Sequence, residues 1–240
     1  MQPFTFNTTP RIHFGAGKLA DLGAIVAAGI GRRVLIVTDP GLLRTGIVAR
    51  AEAYLAEAGV ETVRFDRVEA DPPESVVLAA VASARDSGVQ GVIGVGGGSS
   101  LDVAKLAALL ATGHDALREI YGVDRARGPR LPLLLAPTTA GTGSEVTPIS
   151  VVTTGENEKM AVVSPVLLPD IALVDPELAH GLPPNVTAAT GIDAMVHAIE
   201  AHASLSPNNN PGSRALARAA LALLGRALEP AVRNGADAAA

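Results

Sequence analysis

The sequence predicts an α/β fold: a mostly parallel sheet flanked by helices over residues 1–182, then the beginning of an all-helical domain over 183–240. Two observations carry this. Up to residue 136, short apolar runs such as Val34–Val37, Val92–Val95 and Leu131–Ala136 alternate with helix-length segments. That alternation is the signature of βαβ crossovers and hence of parallel strands with helices on both faces. Beyond Pro183 and Pro184 the apolar residues recur only at helical spacing.

Bulk properties set the outer bounds. A chain of 240 residues accommodates one large domain, or one domain and part of a second. Its 48% hydrophobic and 18% charged residues supply a core and exclude disorder. A net charge of −5, 2% aromatics and no Trp exclude nucleic-acid binding, which needs a basic stripe and stacking rings. The lack of Cys excludes disulfides, thiolate catalysis and Cys-ligated metal. The start MQPFTFNTTPRIHFG lacks the basic and apolar regions of a signal peptide. No apolar run approaches the ~20 residues of a membrane span. The expectation is a soluble cytoplasmic protein that does not meet membranes.

Residues 1–14 alternate loosely through Phe4, Phe6, Ile12 and Phe14 and predict one or two extended segments. A short helix is expected around Lys18–Ala28 and a buried strand at Arg33–Thr38, ending in Asp39-Pro40-Gly41. A helix from Arg44 to Ala58 should stop at Gly59, the usual residue after a helix end. Val60–Phe65 is the next strand, and Pro72-Pro73-Glu74-Ser75 opens a helix through Arg85 closed at Gly88. The stretch GVIGVGGGSSLDVAK then runs from a strand through glycines into a helix over Ser99–Ala111, with Leu101, Ala104, Ala108 and Leu109 on one side. A loop from His114 to Arg130 leads to the Leu131–Ala136 strand. Ile149–Thr153, Ala161–Val163 and Ile171–Val174 are short strands at an edge of this domain. Helices follow at Asn185–Ser204 and Ser213–Leu228, the second stopped by Pro230, and Ala236–Ala240 is a ragged end. Two helices cannot bury their own apolar faces, so the helical part is expected to be incomplete.

Ligands of parallel sheets bind outside the carboxyl ends of the strands. Three of those ends carry conspicuous chemistry: Thr38-Asp39, Gly96–Ser99 and Pro137–Ser144. The unpaired N–H groups and dipole of a helix N-terminus favour an anion, and glycines let a phosphate approach the backbone. Gly94-x-Gly96-x-x-Ser99 is close to the dinucleotide fingerprint G-x-G-x-x-G of Rossmann-like domains, with Ser in the last place. The same glycines also suit a turn that merely packs a helix on a sheet. Asp39 suits a ribose diol, whose two hydroxyls a carboxylate accepts, and equally an Asp-Pro-Gly turn in which it bonds its own backbone. The loop Pro137-Thr-Thr-Ala-Gly-Thr-Gly-Ser144 offers donors to a polar ligand or forms an ordinary surface loop. Asp193 and His197 stand four apart on a helix, with Glu200 on that face and His202 opposite. They form either half of a metal site or a surface Asp–His pair. His13, His114 and His180, on loops or chain ends, offer no spacing that completes it.

With these residues laid out, the chain resembles the iron-containing (group III) alcohol dehydrogenase family, within the dehydroquinate synthase and glycerol dehydrogenase superfamily. The matching segments are RIHFGAGKLADLG, GVGGGSSLDVAK, PTTAGTGSEVT, EKMAVVSPVLLPDIALVDPEL and GLPPNVTAATGIDAMVHAIEAHAS, in the family's order and spacing. The resemblance implies that Gly96, Gly97, Gly98 and Ser99 hold the pyrophosphate of NAD, and that Asp39 holds the adenosine ribose and disfavours NADP. It implies that Thr138, Thr139, Thr142 and Thr147 line the path to the nicotinamide and that Lys159 reaches the ribose side. Asp193 and His197 match the first two ligands of a divalent metal, Fe(II) or Zn(II), whose remaining histidine ligands come later in the family. The family's helical domain runs well beyond Ala240, so the resemblance implies a truncated chain. His202 departs from the Tyr often found there. The implied activity is hydride transfer between the nicotinamide and a small alcohol, aldehyde or ketone by a homodimer or higher homo-oligomer. Alternatives are a maleylacetate reductase or hydroxyacid–oxoacid transhydrogenase on the same scaffold, or a non-catalytic nucleotide-binding fragment.

Overall fold

The computed structural model of the chain describes residues 3–113, 115–155 and 158–236. His114 and the tail at 237–240 lie outside the described residues. Two compact units result, one of residues Thr8–Thr138 with Ser144–Asp175, the other of 3–7, 139–143 and 176–236.

The first unit is built on a six-stranded parallel sheet. Its elements are β1 (Arg11–Phe14), α1 (Leu22–Gly29), β2 (Arg33–Val37), α2 (Pro40–Leu43), α3 (Ile47–Glu57), β3 (Glu61–Phe65), α4 (Glu74–Asp86), β4 (Gly91–Gly96), α5 (Gly98–Thr112), β5 (Gly122–Val123), β6 (Leu133–Pro137), β7 (Ile149–Thr154), β8 (Glu158–Val163) and β9 (Ile171–Val174). The strand order is β1-β9-β6-β4-β2-β3. Successive residues of a strand point to opposite faces. Leu35, Val37, Val92, Leu133 and Leu135 meet α4 and α5 in one buried cluster. Their neighbours Val34, Ile36, Ile93, Val95, Leu134 and Ala136 are fully buried on the other face. Strands buried on both faces are the reason that these runs are continuously apolar.

Helix α5 is buried along nearly its whole length, from Ser100 and Leu101 through Leu110. It packs against α4 and against the strands β4, β6 and β7. The expected single apolar side is therefore too narrow a description. β7 and β8 pair antiparallel, and β8 pairs with β5, in a separate three-stranded sheet.

Other expectations need correction. The strand at 171–174 is not at an edge: β9 lies between β6 and β1, and Ile171, Ala172 and Leu173 are buried. Of residues 3–14 only Arg11–Phe14 is a strand, which places His13 in β1 rather than in a loop. The helix expected from Arg44 starts only at Ile47, and a separate short helix, α2, stands before it where the Asp39-Pro40-Gly41 turn was expected. Asp39 caps α2 and Pro40 opens it, where a missing N–H costs nothing. Gly46, at φ +78°, then interrupts the chain before Ile47.

In the second unit, α6 (Pro184–Ala203) packs on α7 (Pro211–Arg233). A Cβ at Gly191 would come within 2.2 Å of Leu228, so the helices touch there only because that side chain is absent. Asn210 and Ser213 form a reciprocal capping box at the start of α7. Pro230 does not stop this helix. It removes one N–H, but its carbonyl still accepts from the Asn234 N–H at 2.9 Å. Ile192, Val196, Ile199, Leu216 and Leu223 remain exposed, the uncovered faces expected of two helices. No helix among the described residues is long and apolar enough to cross a membrane.

Candidate cofactor site

From β2 the chain steps outward to β3, then returns across β2 to β4, β6 and β9. The direction of winding reverses between β2 and β4. At such a switch point the connections leave in opposite directions and open a crevice at the carboxyl ends of the strands. Both ends carry predicted site residues.

Asp39 follows β2 and does what the turn reading expected: its Oδ1 accepts the Leu42 N–H at 2.9 Å. Its second oxygen remains on the β4 side, where a Cβ on Gly96 would lie 3.4 Å from Oδ2. Gly96 adopts φ +153°, and its Cβ would come within 2.7 Å of Ser100. No other residue fits that turn. Gly94 serves packing instead, since its missing Cβ leaves room for Ala104 and Leu101 of α5. Thus one glycine packs the helix and the other shapes the turn.

Gly97 precedes α5 with no side-chain cap, and the first helical bond is from the Leu101 N–H to the Gly97 carbonyl at 3.1 Å. The N–H groups of Gly98 and Ser99 therefore have no partner within the helix. Gly97, Gly98 and Ser99 are half-buried, accessible to a ligand, while Ser100 is buried. Uncapped N–H groups, a helix dipole and no intruding Cβ fit a phosphate group. At the end of β2, Thr38 is fully buried, and its hydroxyl lacks a hydrogen-bond partner among the described residues.

Thr138 joins this group through its N–H, which donates to the Gly96 carbonyl at 2.9 Å. Thr147 is half-buried further along the same loop. Thr139 and Thr142 are half-buried members of the helical unit. Lys159 stands on β8, more than half exposed, with its ammonium 2.7 Å from Asp71 Oδ1. The Thr153 hydroxyl donates to the Asp71 carbonyl, which ties β7 to the loop after β3.

Asp102 and Lys105 escaped the sequence reading. Lys105 is fully buried, and its ammonium donates to the carbonyls of Thr147 at 3.0 Å and Ile149 at 2.7 Å. Asp102 Oδ1 lies 3.7 Å away and accepts the Ser144 hydroxyl at 2.6 Å, while Oδ2 accepts the Val151 N–H at 2.9 Å. Burial pulls the Lys105 ammonium down to about 8, against the opposing pull of Asp102 and Glu145. Burial likewise raises the carboxyls of Asp102 and Glu145. The available signal was a charged pair three residues apart inside an otherwise apolar helix.

On α6, the Asp193 Oδ1 and His197 Nε2 atoms are 3.7 Å apart, with both side chains about half exposed. A carboxylate oxygen and an imidazole nitrogen suit Fe(II) or Zn(II). Two donors do not close a coordination shell, and among the described residues no group of three or more His, Cys, Asp or Glu side chains could hold a metal ion.

Residues 9–176 match the family model "Iron-containing alcohol dehydrogenase", and 187–240 match "Fe-containing alcohol dehydrogenase family, C-terminal". Long-chain-alcohol dehydrogenase 1 of Geobacillus thermodenitrificans is 45% identical over 95% of this chain and 58% of its own length. Sulfoacetaldehyde reductase of Bilophila wadsworthia is 36% identical over 99% of this chain and 61% of its own. A solved alcohol dehydrogenase from Oenococcus oeni superposes with a TM-score of 0.92 at 33% identity, covering 98% of this chain and 62% of that one. The chain thus spans about three-fifths of the length of these relatives.

Proposed function

The chain belongs to the iron-containing alcohol dehydrogenase family, and from that premise we propose that the protein transfers hydride between NAD and a small alcohol or its aldehyde or ketone. The observation that carries this reading is the uncapped start of α5 facing a carboxylate across a turn that only glycine fits. In it, Gly96, Gly97, Gly98 and Ser99 cradle the pyrophosphate with backbone N–H groups. Asp39 accepts from the adenosine ribose through the oxygen not used in capping, and its charge repels the 2′-phosphate of NADP. Thr138, Thr139, Thr142 and Thr147 supply hydroxyls along the path to the nicotinamide. Lys159 exchanges its exposed partner Asp71 for the ribose side of the cofactor, a small loss because surface ion pairs contribute little.

Asp193 and His197 hold two positions of a divalent metal, Fe(II) or Zn(II), with further donors completing its shell. When bound, such a metal supplies Lewis-acid polarisation of the substrate oxygen. The protein itself supplies orientation. A fixed pyrophosphate and ribose set where the nicotinamide lies, and fixed geometry is a large part of catalysis.

The test is transfer of deuterium from a short 1,1-dideuterated alcohol to NAD, followed by mass spectrometry with Fe(II) or Zn(II) supplied. With the helical domain carried to the length of the relatives, label should reach the nicotinamide in the presence of metal, and His197→Ala should lose that transfer while still binding NADH. Transfer that is indifferent to metal and to His197 would contradict the reading, as would no transfer with either metal.

A further inference from the structure

The ion pair inside α5 is costly and out of character with its surroundings. Lys105 has no exposed surface and sits among Val103, Ala104 and Leu106, which are also buried. Burying an ammonium and a carboxylate is commonly less stable than filling the same volume with apolar side chains. The pair's partners account for its placement. Lys105 takes the carbonyls of Thr147 and Ile149, and Asp102 takes the Ser144 hydroxyl and the Val151 N–H. The Ser150 hydroxyl adds a bond to the Asp102 carbonyl at 3.1 Å. Every one of these contacts falls within residues 144–151, the exit of the hydroxyl-rich loop. The same helix begins at Gly98, one turn before Asp102.

We propose that Lys105 and Asp102 are positioning residues for the nicotinamide half of the cofactor: from inside α5 they fix the backbone of 144–151, and with it Thr147, relative to the phosphate-binding start of that helix. This rests on the cofactor reading above. One rigid helix then measures the distance between two contacts on the same dinucleotide. Without the clamp, the pyrophosphate and ribose contacts persist while the loop loses its conformational entropy each time the nicotinamide binds.

The distinguishing experiment compares ADP-ribose, which has no nicotinamide, with NADH. Calorimetry gives the first affinity and nicotinamide fluorescence the second, on the wild-type chain, Lys105→Met and Ser144→Ala. Lys105→Met should raise the Kd for NADH about tenfold and leave that for ADP-ribose within about twofold, the scale of one lost charge-assisted hydrogen bond. Ser144→Ala leaves the ion pair in place and should give the same split at about threefold, so it decides the matter if Lys105→Met does not fold. Proportional weakening of both ligands would reduce the pair to ordinary structural support and overturn the proposal. So would unchanged NADH affinity. A wild-type chain that binds neither ligand overturns the cofactor reading itself, and this proposal with it.

Discussion

Asp39 does two things with one carboxylate, capping α2 through Oδ1 and leaving Oδ2 beside the Gly96 turn. The turn and ribose readings of this residue, which the sequence sets against each other, are geometrically compatible. Asp39→Asn keeps an oxygen for the Leu42 N–H and removes the charge. It should therefore leave Tm nearly unchanged while the preference for NADH over NADPH falls by about tenfold or more, the equivalent of about 1.4 kcal/mol. Undiminished discrimination in paired titrations would show that Asp39 is a cap alone. The division of labour between Gly94 and Gly96 was illegible for a related reason. A motif string counts both as glycines, and only the atoms that would meet a Cβ tell packing from turn. Asp102 and Lys105 were hidden because their partners lie more than 40 residues further along the chain.

At the scale of elements, local signals served well where the cause was local. Gly59 at φ +70° ends α3 as expected, and Pro73 precedes α4. They failed where pairing is long-range. Nothing in the four residues Ile171–Val174 says that they will lie between β6 and β1. That position is held partly by Asp170, whose Oδ2 accepts from Arg130 at 2.7 Å and from the Leu133 N–H at 2.8 Å. Burial alone would raise this carboxyl, but the bonds from Arg130 and Leu133 outweigh it and hold it below the ordinary carboxylate value. The stabilisation is present above the unfolded value and is lost as pH falls through the lower folded one. Asp170→Asn should thus lower Tm near neutral pH by about 2–4 °C, the equivalent of roughly 1 kcal/mol for a partly screened pair. The gap should close as the pH falls below the ordinary carboxylate range and through the lowered folded value, where the wild-type carboxyl also becomes protonated. A gap that stays constant through that range would mean that the charge is not what holds β9 in register.

For the molecule as a whole, the alternation of strands and helices conveyed the fold class, and the order of strands explains why chemistry gathers where it does. The reversal of winding between β2 and β4 brings Asp39 to the glycine turn, although β3 and α4 intervene between them in the chain. Of the proposed metal site only the pair Asp193 and His197 was legible, since two donors on one helix do not define a coordination shell. The proposed function stands first on an NAD site made by the start of α5 and Asp39. That site is tested by fluorescence titration of the chain with NADH and separately with NADPH, in which the absence of Trp leaves the nicotinamide emission uncomplicated. Saturable enhancement should appear with NADH at lower concentration than with NADPH. Binding of neither cofactor, or tighter binding of NADPH, would contradict the assignment.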